Sequence, residues 1–270
     1  MTEQKSIRTE KFPAIAWQKT GEGPALMLVH GFPERGDLWN GIVPALAAHF
    51  TLIIPDLPGA GASRHATESL TVEDMAESLR EILIHESIER AVIAGHSMGG
   101  YTALAFADLY PGFVQGLSLV HSGAYADDEA KRESRRKSVA LIRKGGKSAF
   151  IRQMVPNLFA KQFREERPEL VERQIERAMQ LDDSAMISFY GAMLSRPDRT
   201  RVLQNASFPV QWIIGKEDQA IPPSDALRQA TIPGTSFISL YDPCGHMSML
   251  EQPERLAIDL ADFGYYCNNR

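Results

Sequence analysis

Three residue types that together make an activated nucleophile occur in order along this chain. Ser97 lies in "AGHSMGG", flanked by Gly95 and Gly99 and preceded by the apolar run "RAVIA". A serine hydroxyl is a weak nucleophile until a base takes its proton. His246, in "DPCGHMSMLEQPE", is the histidine placed late enough in the chain to serve as that base, after the last strand-like run. A base of this kind needs a carboxylate to hold its tautomer. "IIGKEDQAIPP" offers Asp218, 28 residues before His246, with Glu217 beside it as the alternative and Asp127 or Asp128 as a more remote one. The spacing Gly-x-Ser-x-Gly is that of a sharp strand-to-helix turn, in which glycines stand where side chains would collide. The negative oxygen formed by attack on a carbonyl needs backbone donors. The N–H of Met98 is one candidate. Phe32 in "VHGFPE", where Gly31 lets the chain turn, supplies the other.

Each feature also has an ordinary structural reading. "GHSMG" is a glycine-rich junction, Asp218 an Asx turn or helix cap, His246 a loop histidine, and "HGFP" a turn. What favours chemistry is that three catalytic residue types fall in the required order and contexts. The other histidines lack that placement. His30, His96 and His121 end apolar runs and read as shaping loops or a pocket rim; His49, His65 and His85 read as surface or helix positions.

These residues must be held by a scaffold, and the apolar patterning describes one. "ALMLVH", "FTLIIPD", "RAVIAGH", "VQGLSLVHS", "FPVQWIIG" and "TSFISLY" are short apolar runs with little alternation, as expected of strands covered on both faces. Between them lie helical patterns. In "TVEDMAESLREILIHES" Val72, Met75, Leu79, Ile82 and Leu83 recur at helical spacing behind Thr71 as N-cap. Regular alternation of this kind predicts a mostly parallel sheet with helices on both faces. From about Tyr125 to Arg201 no strand is expected. "DDEAKRESRRKSVALIRKGG", "KSAFIRQM", "ELVERQIERAMQL" and "SAMISFYGAML" all read as helices, punctuated by Pro156, Pro168 and Pro197. We therefore expect a core of residues 1–124 and 201–270 with a helical cap or lid inserted over 125–200. Phe150, Met154, Leu158, Phe159, Met186, Phe189, Tyr190 and Met193 are the apolar insertion residues able either to line a pocket or to pack the cap.

Composition narrows the partners. The chain has 270 residues, 44% hydrophobic and 23% charged, with a formal net charge of −5. That balance is globular and argues against nucleic acid or an anionic membrane as partner. No apolar run approaches the ~20 residues of a membrane helix, and the polar "MTEQKSIRTEKFP" is no signal peptide. The two cysteines, Cys244 and Cys267, have no zinc-type spacing; a reducing cytoplasm is expected. "DLPGAGAS" lacks the third glycine of a dinucleotide loop and reads as a turn. Cys244 near His246 reads as a small buried residue, and "KRESRRK" as a solvated cap face. The expected partner is a small molecule, with no cofactor and no metal. Oligomeric state is not legible.

In order along the chain, "HGFPE", "DLPGAGAS", "GHSMGG" and the "GKED…GH" pair resemble the α/β-hydrolase superfamily over about Phe12 to Phe263. "HGFPE" is similar to the loop of epoxide hydrolases and haloalkane dehalogenases, which attack with an elbow aspartate where this chain has Ser97. "GHSMGG" looks more like serine carboxylesterases, cofactor-free haloperoxidase-like perhydrolases and C–C bond hydrolases. The resemblance implies an α/β-hydrolase fold and a carboxylesterase-like serine hydrolase that forms an acyl-enzyme on a small to medium ester. It assigns Ser97, Asp218 and His246 as the triad and the Phe32 and Met98 amides as the oxyanion hole. Two alternatives use the same residues: C–C cleavage or perhydrolysis, for which Arg143, Arg152 or Arg164 would hold a substrate carboxylate, and a small-ligand sensor with weak turnover.

Overall fold

Residues 2–64 and 69–269 are described by the computed structural model. Eight strands form one sheet: β1 (Glu3–Ile7), β2 (Ile15–Thr20), β3 (Ala25–Val29), β4 (Thr51–Pro55), β5 (Ala91–His96), β6 (Val114–Val120), β7 (Val210–Gly215) and β8 (Ser236–Tyr241). The strand order is β1-β2-β4-β3-β5-β6-β7-β8. From β4 to β8 every pairing is parallel; β1 and β2 join antiparallel at one edge.

The helices before β6 are α1 (Val43–Ala47), α2 (Val72–His85) and α3 (Met98–Leu109). Those between β6 and β7 are α4 (Glu129–Arg143), α5 (Lys147–Met154), α6 (Lys161–Glu166), α7 (Pro168–Met179), α8 (Asp183–Ser195) and α9 (Thr200–Gln204). Then come α10 (Pro223–Ala230), α11 (Ser248–Glu251) and α12 (Pro253–Asn268). Among the described residues no strand interrupts the helical stretch between β6 and β7. Connections between parallel strands must cross the sheet faces, so helices cover both sides. This is the α/β-hydrolase architecture expected from the sequence.

Local chemistry sets these elements. In α2 the Thr71 hydroxyl accepts from the Asp74 N–H at 3.1 Å while Asp74 Oδ2 accepts from the Thr71 N–H at 2.8 Å. This reciprocal cap is worth about 1 kcal/mol. Val72, Met75, Leu79, Ile82 and Leu83 all face the core, each wholly buried.

The six apolar runs became β3 to β8. β1 and β2 were not expected, because "EQKSI" and "IAWQKT" carry little apolar signal. What binds them is remote in sequence. The buried Glu86 carboxylate, just past α2, accepts from Trp17 Nε1 at 2.9 Å and pairs with Lys19 at 2.7 Å and Lys5 at 3.1 Å.

Parallel strands end together, and these ends gather the chemistry. Val29 pairs with Gly95, His96 with Val120, and Gly215 with Tyr241. The loops beyond them carry "HGFPE", Ser97, Asp218 and His246.

Candidate active site

Ser97 occupies a strained turn between β5 and α3, with φ 49° and ψ −114°. A non-glycine residue in such a conformation costs on the order of 1–3 kcal/mol. The surroundings enforce it. Ser97 N–H donates to Val120 O at 3.0 Å, and the Ser97 carbonyl accepts from Ser122 Oγ at 2.8 Å and Gly100 N–H at 2.9 Å. The flanking glycines are required by contact. A Cβ on Gly95 would fall under 3.0 Å from the Gly99 carbonyl, and one on Gly99 would collide with the carbonyls of Val29 and His30. The result is a half-buried serine standing at the positive end of a twelve-residue helix.

His246 and Asp218 meet at that same edge. His246 Nδ1 lies 2.8 Å from Asp218 Oδ2, both side chains being almost fully buried. Asp218 Oδ1 accepts from the Ala220 and Ile221 amides at 2.8 and 2.9 Å. One oxygen therefore makes the ordinary loop cap while the other faces the imidazole. Burial pushes the Asp218 carboxyl up, but the His246 charge and the two imidazole donors outweigh it and hold it well below the usual carboxylate range. An ionised Asp218 fixes the His246 proton on Nδ1 and leaves Nε2 free as a base. Among the described residues Ser97 Oγ makes no hydrogen bond, so the serine–histidine link is open in this state. Such links often close only with substrate.

The alternative carboxylates are engaged elsewhere. Glu217 accepts from the Lys161 amide at 3.0 Å. Asp127 pairs with Arg135 at 2.6 Å and Arg196 at 2.9 Å, and Asp128 caps α4 through the Lys131 amide at 2.7 Å. Arg135 thus departs from the solvated face expected of "KRESRRK": it turns inward because Asp127 needs a counter-charge.

The predicted amide donors are available. Among the described residues neither the Phe32 nor the Met98 N–H donates to a protein acceptor. Gly31 brings the first loop against the elbow, since a Cβ there would lie 3.1 Å from Ser97 Cβ. His30 fixes that loop by accepting the Leu57 amide at 2.9 Å. "DLPGAGAS" is a closed turn, with Asp56 accepting the Gly36 and Ala62 amides, both at 2.8 Å.

Two histidines expected to shape the rim do more than that. His96 is wholly buried, its Nε2 2.9 Å from the His246 carbonyl and its Nδ1 3.2 Å from Glu34 Oε2. Glu34 in turn accepts from Gln174 of α7 at 3.4 Å. His121, also wholly buried, places Nδ1 3.3 Å from Asp218 Oδ2 on a bent path, and its Nε2 3.3 Å from the Ser248 amide. Nothing in "SLVHSG" signals these contacts, which depend on the meeting of three loops. His49 and His85 are exposed; His65 lies outside the described residues. His121, Asp218 and His246 hold their donor atoms within 4.8 Å of one another. His246 is hydrogen-bonded to Asp218 at 2.8 Å and His121 faces the same oxygen at 3.3 Å off-line, so we read the cluster as groups sharing protons around one carboxylate.

The helical stretch between β6 and β7 contacts this edge. The His246 N–H donates to Leu158 O at 2.6 Å. Phe32 packs against Tyr190 and Phe189, with ring centroids 4.8 and 6.4 Å away. Between the Phe32–Leu38 loop and α7 lies a cleft of about 100 Å³, lined by Glu34, Arg35, Gln174, Arg177 and Gln180 among others. Most of the apolar insertion residues, Met186 and Phe159 among them, are buried in packing. The cleft along α7 is lined mainly by polar side chains, whereas Phe150, Met154 and Leu158 border a separate hollow beside Gln219 and Ala220. Arg143 and Arg152 are exposed, the latter paired with Glu172 at 3.1 Å, and Arg164 reaches Asn157 at 3.4 Å.

Comparison with known proteins matches this architecture. The family described as alpha/beta hydrolase fold matches residues 24–253, and the chain belongs to it. It is a hydrolase of that superfamily. It is similar to a thermophilic esterase from Thermogutta terrifontis, with TM-score 0.93 and 29% identity, covering 98% of this chain and 99% of the other. It also resembles an uncharacterised protein of Mycobacterium tuberculosis, 29% identical over 92% of this chain and 76% of that one. A monoacylglycerol lipase of Bos taurus is 25% identical over 91% and 76% of the two chains. The enol-lactonase of Burkholderia xenovorans shares the fold with TM-score 0.88 at 20% identity over 96% and 99%. Among the described residues no helix is long and apolar enough to cross a membrane.

Proposed function

We propose that the protein is a serine hydrolase that cleaves small to medium esters through an acyl-enzyme. The observation that carries this reading is the 2.8 Å contact between His246 Nδ1 and a buried, ionised Asp218, at the strand edge where Ser97 stands clear in its strained turn. Ser97 Oγ attacks the ester carbonyl while His246 Nε2 takes its proton. Asp218 holds the tautomer and stabilises the imidazolium. The carbonyl oxygen, now negative, receives the Phe32 and Met98 amides at the N-terminus of α3. His246 returns the proton to the departing alkoxide. It then deprotonates the water that releases the acid. Residues 125–200 act as a cap that covers the acyl-enzyme, with Phe32, Phe189 and Tyr190 as an apolar wall and the Glu34–Gln180 cleft receiving a polar end of the substrate. The likeness to an esterase over 98% of the chain supports this reading.

The test is labelling with a fluorophosphonate probe, wild type beside Ser97→Ala, followed by esters of graded acyl length. Labelling of wild type alone, with kcat lowered on the order of 10³-fold or more by Ser97→Ala, is the expected result. Labelling without ester turnover would turn the reading towards C–C cleavage or ligand sensing. Absence of labelling would end it.

A further inference from the structure

We propose that His121 is a positioning residue of this site: a second, neutral imidazole whose Nδ1–H shares the Asp218 carboxylate with His246 and thereby sets the pH at which His246 becomes a usable base. Its kinetic consequence rests on the serine-hydrolase reading; its physical content, a second donor on Asp218, does not.

The tautomer follows from the neighbours. His121 Nε2 faces the Ser248 N–H at 3.3 Å, and an N–H can only donate, so Nε2 must be bare. A neutral ring then carries its proton on Nδ1. That nitrogen is wholly buried and has no well-aligned hydrogen-bond partner. Among the described residues the acceptor it faces is Asp218 Oδ2, at 3.3 Å. A buried donor left without an acceptor keeps its full desolvation penalty, so even a bent contact is held. The backbone holds it too. His121 takes a left-handed φ of 50°, and its N–H donates to Ile213 O at 2.9 Å. Its charge state is also fixed. Burial pushes the His121 imidazole down to about 4, outweighing the attraction of Asp218, so it contributes a dipole and no charge at neutral pH.

The sign of the effect can be worked out from the groups in contact. His121 faces Asp218, and its ring lies 5.6 Å from that of His246 and 6.1 Å from that of His96. His246 faces Asp218, His121 and His96, whose far nitrogen meets Glu34. Asp218 also holds the Ala220 and Ile221 amides, with Cys244 and Glu251 in the next layer. A second donor on Oδ2 spreads the carboxylate charge that attracts the His246 proton. Without it, Asp218 holds that proton more tightly. His246 then stays protonated to higher pH, and the acid limb of catalysis moves up. A side chain that only filled space would lower stability and leave this titration where it was.

The experiment is imidazole NMR of the histidine-labelled protein. In wild type at pH 7, His121 should show a bare Nε2 and a protonated Nδ1; an Nε2-protonated or charged ring overturns the proposal with no variant needed. His121→Phe keeps the ring and removes the donor. His121→Asn keeps an amide N–H at the Nδ1 position and tolerates left-handed φ. The midpoint of His246 protonation should rise by about one unit in His121→Phe and remain near wild type in His121→Asn. The acid limb of kcat/KM should follow it, with KM above the limb unchanged. An unmoved midpoint in a folded His121→Phe, or equal shifts in both variants, refutes the role. If wild type takes no fluorophosphonate, the serine-hydrolase reading falls while the titration still decides about His121.

Discussion

Replacing Asp127 with asparagine should loosen the base of the helical insertion and leave the chemistry at Ser97 intact. The Asp127 side chain is 1% exposed and joins two arginines, Arg135 Nε at 2.6 Å and Arg196 at 2.9 Å. Arg196 also donates to the Met193 and Tyr125 carbonyls at 2.7 and 3.1 Å, and its guanidinium lies 3.9 Å from the Tyr101 ring on α3. The cluster therefore clamps the start of α4, the end of α8 and the core together. Burial pushes the Asp127 carboxyl up, but the two guanidiniums outweigh it and hold it down at about 2, against an ordinary 3.8. At 1.36 kcal/mol per unit this difference is worth about 2 kcal/mol. Removing one partner of a buried pair costs more, about 3–5 kcal/mol, because a guanidinium is left uncompensated. Asparagine keeps one acceptor oxygen and Arg196 keeps its carbonyls, so the expected loss is about 2–3 kcal/mol, or a Tm lower by about 5 °C or more. Urea unfolding at pH 7 measures the first quantity. Ester hydrolysis normalised to the fluorophosphonate-titrated serine measures the second, and kcat per active serine should stay within about threefold of wild type. Asp218→Asn should do the reverse, lowering kcat on the order of 10³–10⁴-fold. If Asp127→Asn abolishes turnover while stability is unchanged, Asp127 orients the base and the assignment of Asp218 is wrong.

Gly99→Ala should destabilise the elbow, because its Cβ would fall under 3.0 Å from the backbone carbonyls of Val29 and His30, neither of which can swing away. A Tm and fluorophosphonate labelling equal to wild type would show that the turn is not packed this way. Stability should also rise with pH between about 4 and 6.5. The unfolded chain binds a proton on His121 near 6.5, whereas burial holds the folded ring down at about 4, so the unfolded state carries the extra proton across that window. The full difference is about 3 kcal/mol, and His30, likewise pushed down by burial, adds with the same sign. Equal urea midpoints at pH 4.5 and 7 would contradict it, and His121→Asn should flatten the dependence.

What the sequence made legible was whatever depends on local pattern. The six buried strands show as unbroken apolar runs, α2 as a helical stripe behind Thr71, and Ser97 as a serine between glycines that the turn requires. The loops carrying Asp218 and His246 follow from chain order. Less legible was anything fixed by a partner far along the chain. β1 carries a single apolar residue, Ile7, and is held by its antiparallel ladder to β2 with Lys5 reaching Glu86. Arg135 belongs to a run of exposed charges and turns inward only because Asp127 is buried beside it. His96 and His121 end strands like many loop histidines. Their engagement with Glu34 and Asp218 needs the parallel strands to end at one edge, which no short window of sequence can show. The apolar residues of α8 were open to two readings, lining a pocket or packing the cap. Folding placed most of them in the packing and left Gln174, Gln180 and Arg177 beside the cleft.

The two ends of the insertion engage the site by different means. Around Leu158–Ala160 the contacts are to backbone. The His246 N–H reaches Leu158 O at 2.6 Å, and the Ala160 N–H reaches Glu251 at 2.9 Å. Glu251 also receives the Gly245 and Met247 amides, both at 3.0 Å. Gly245 has no room for a Cβ against Leu158 O and the Ala160 amide. Lifting this segment would strip buried polar groups of their partners, at about 1–3 kcal/mol each, and would release the loop that carries His246. At α7 and α8 the contacts are of another kind: the Phe32 ring against Phe189 and Tyr190, one long hydrogen bond from Gln174 to Glu34, and a partly exposed Arg177–Asp37 pair at 3.8 Å. Separating apolar faces where a substrate can replace them costs far less, because the incoming ligand restores the burial. On the serine-hydrolase reading, the Leu158–Ala160 segment belongs to the scaffold of His246, and the α7–α8 face is the side expected to admit a ligand without disturbing that histidine.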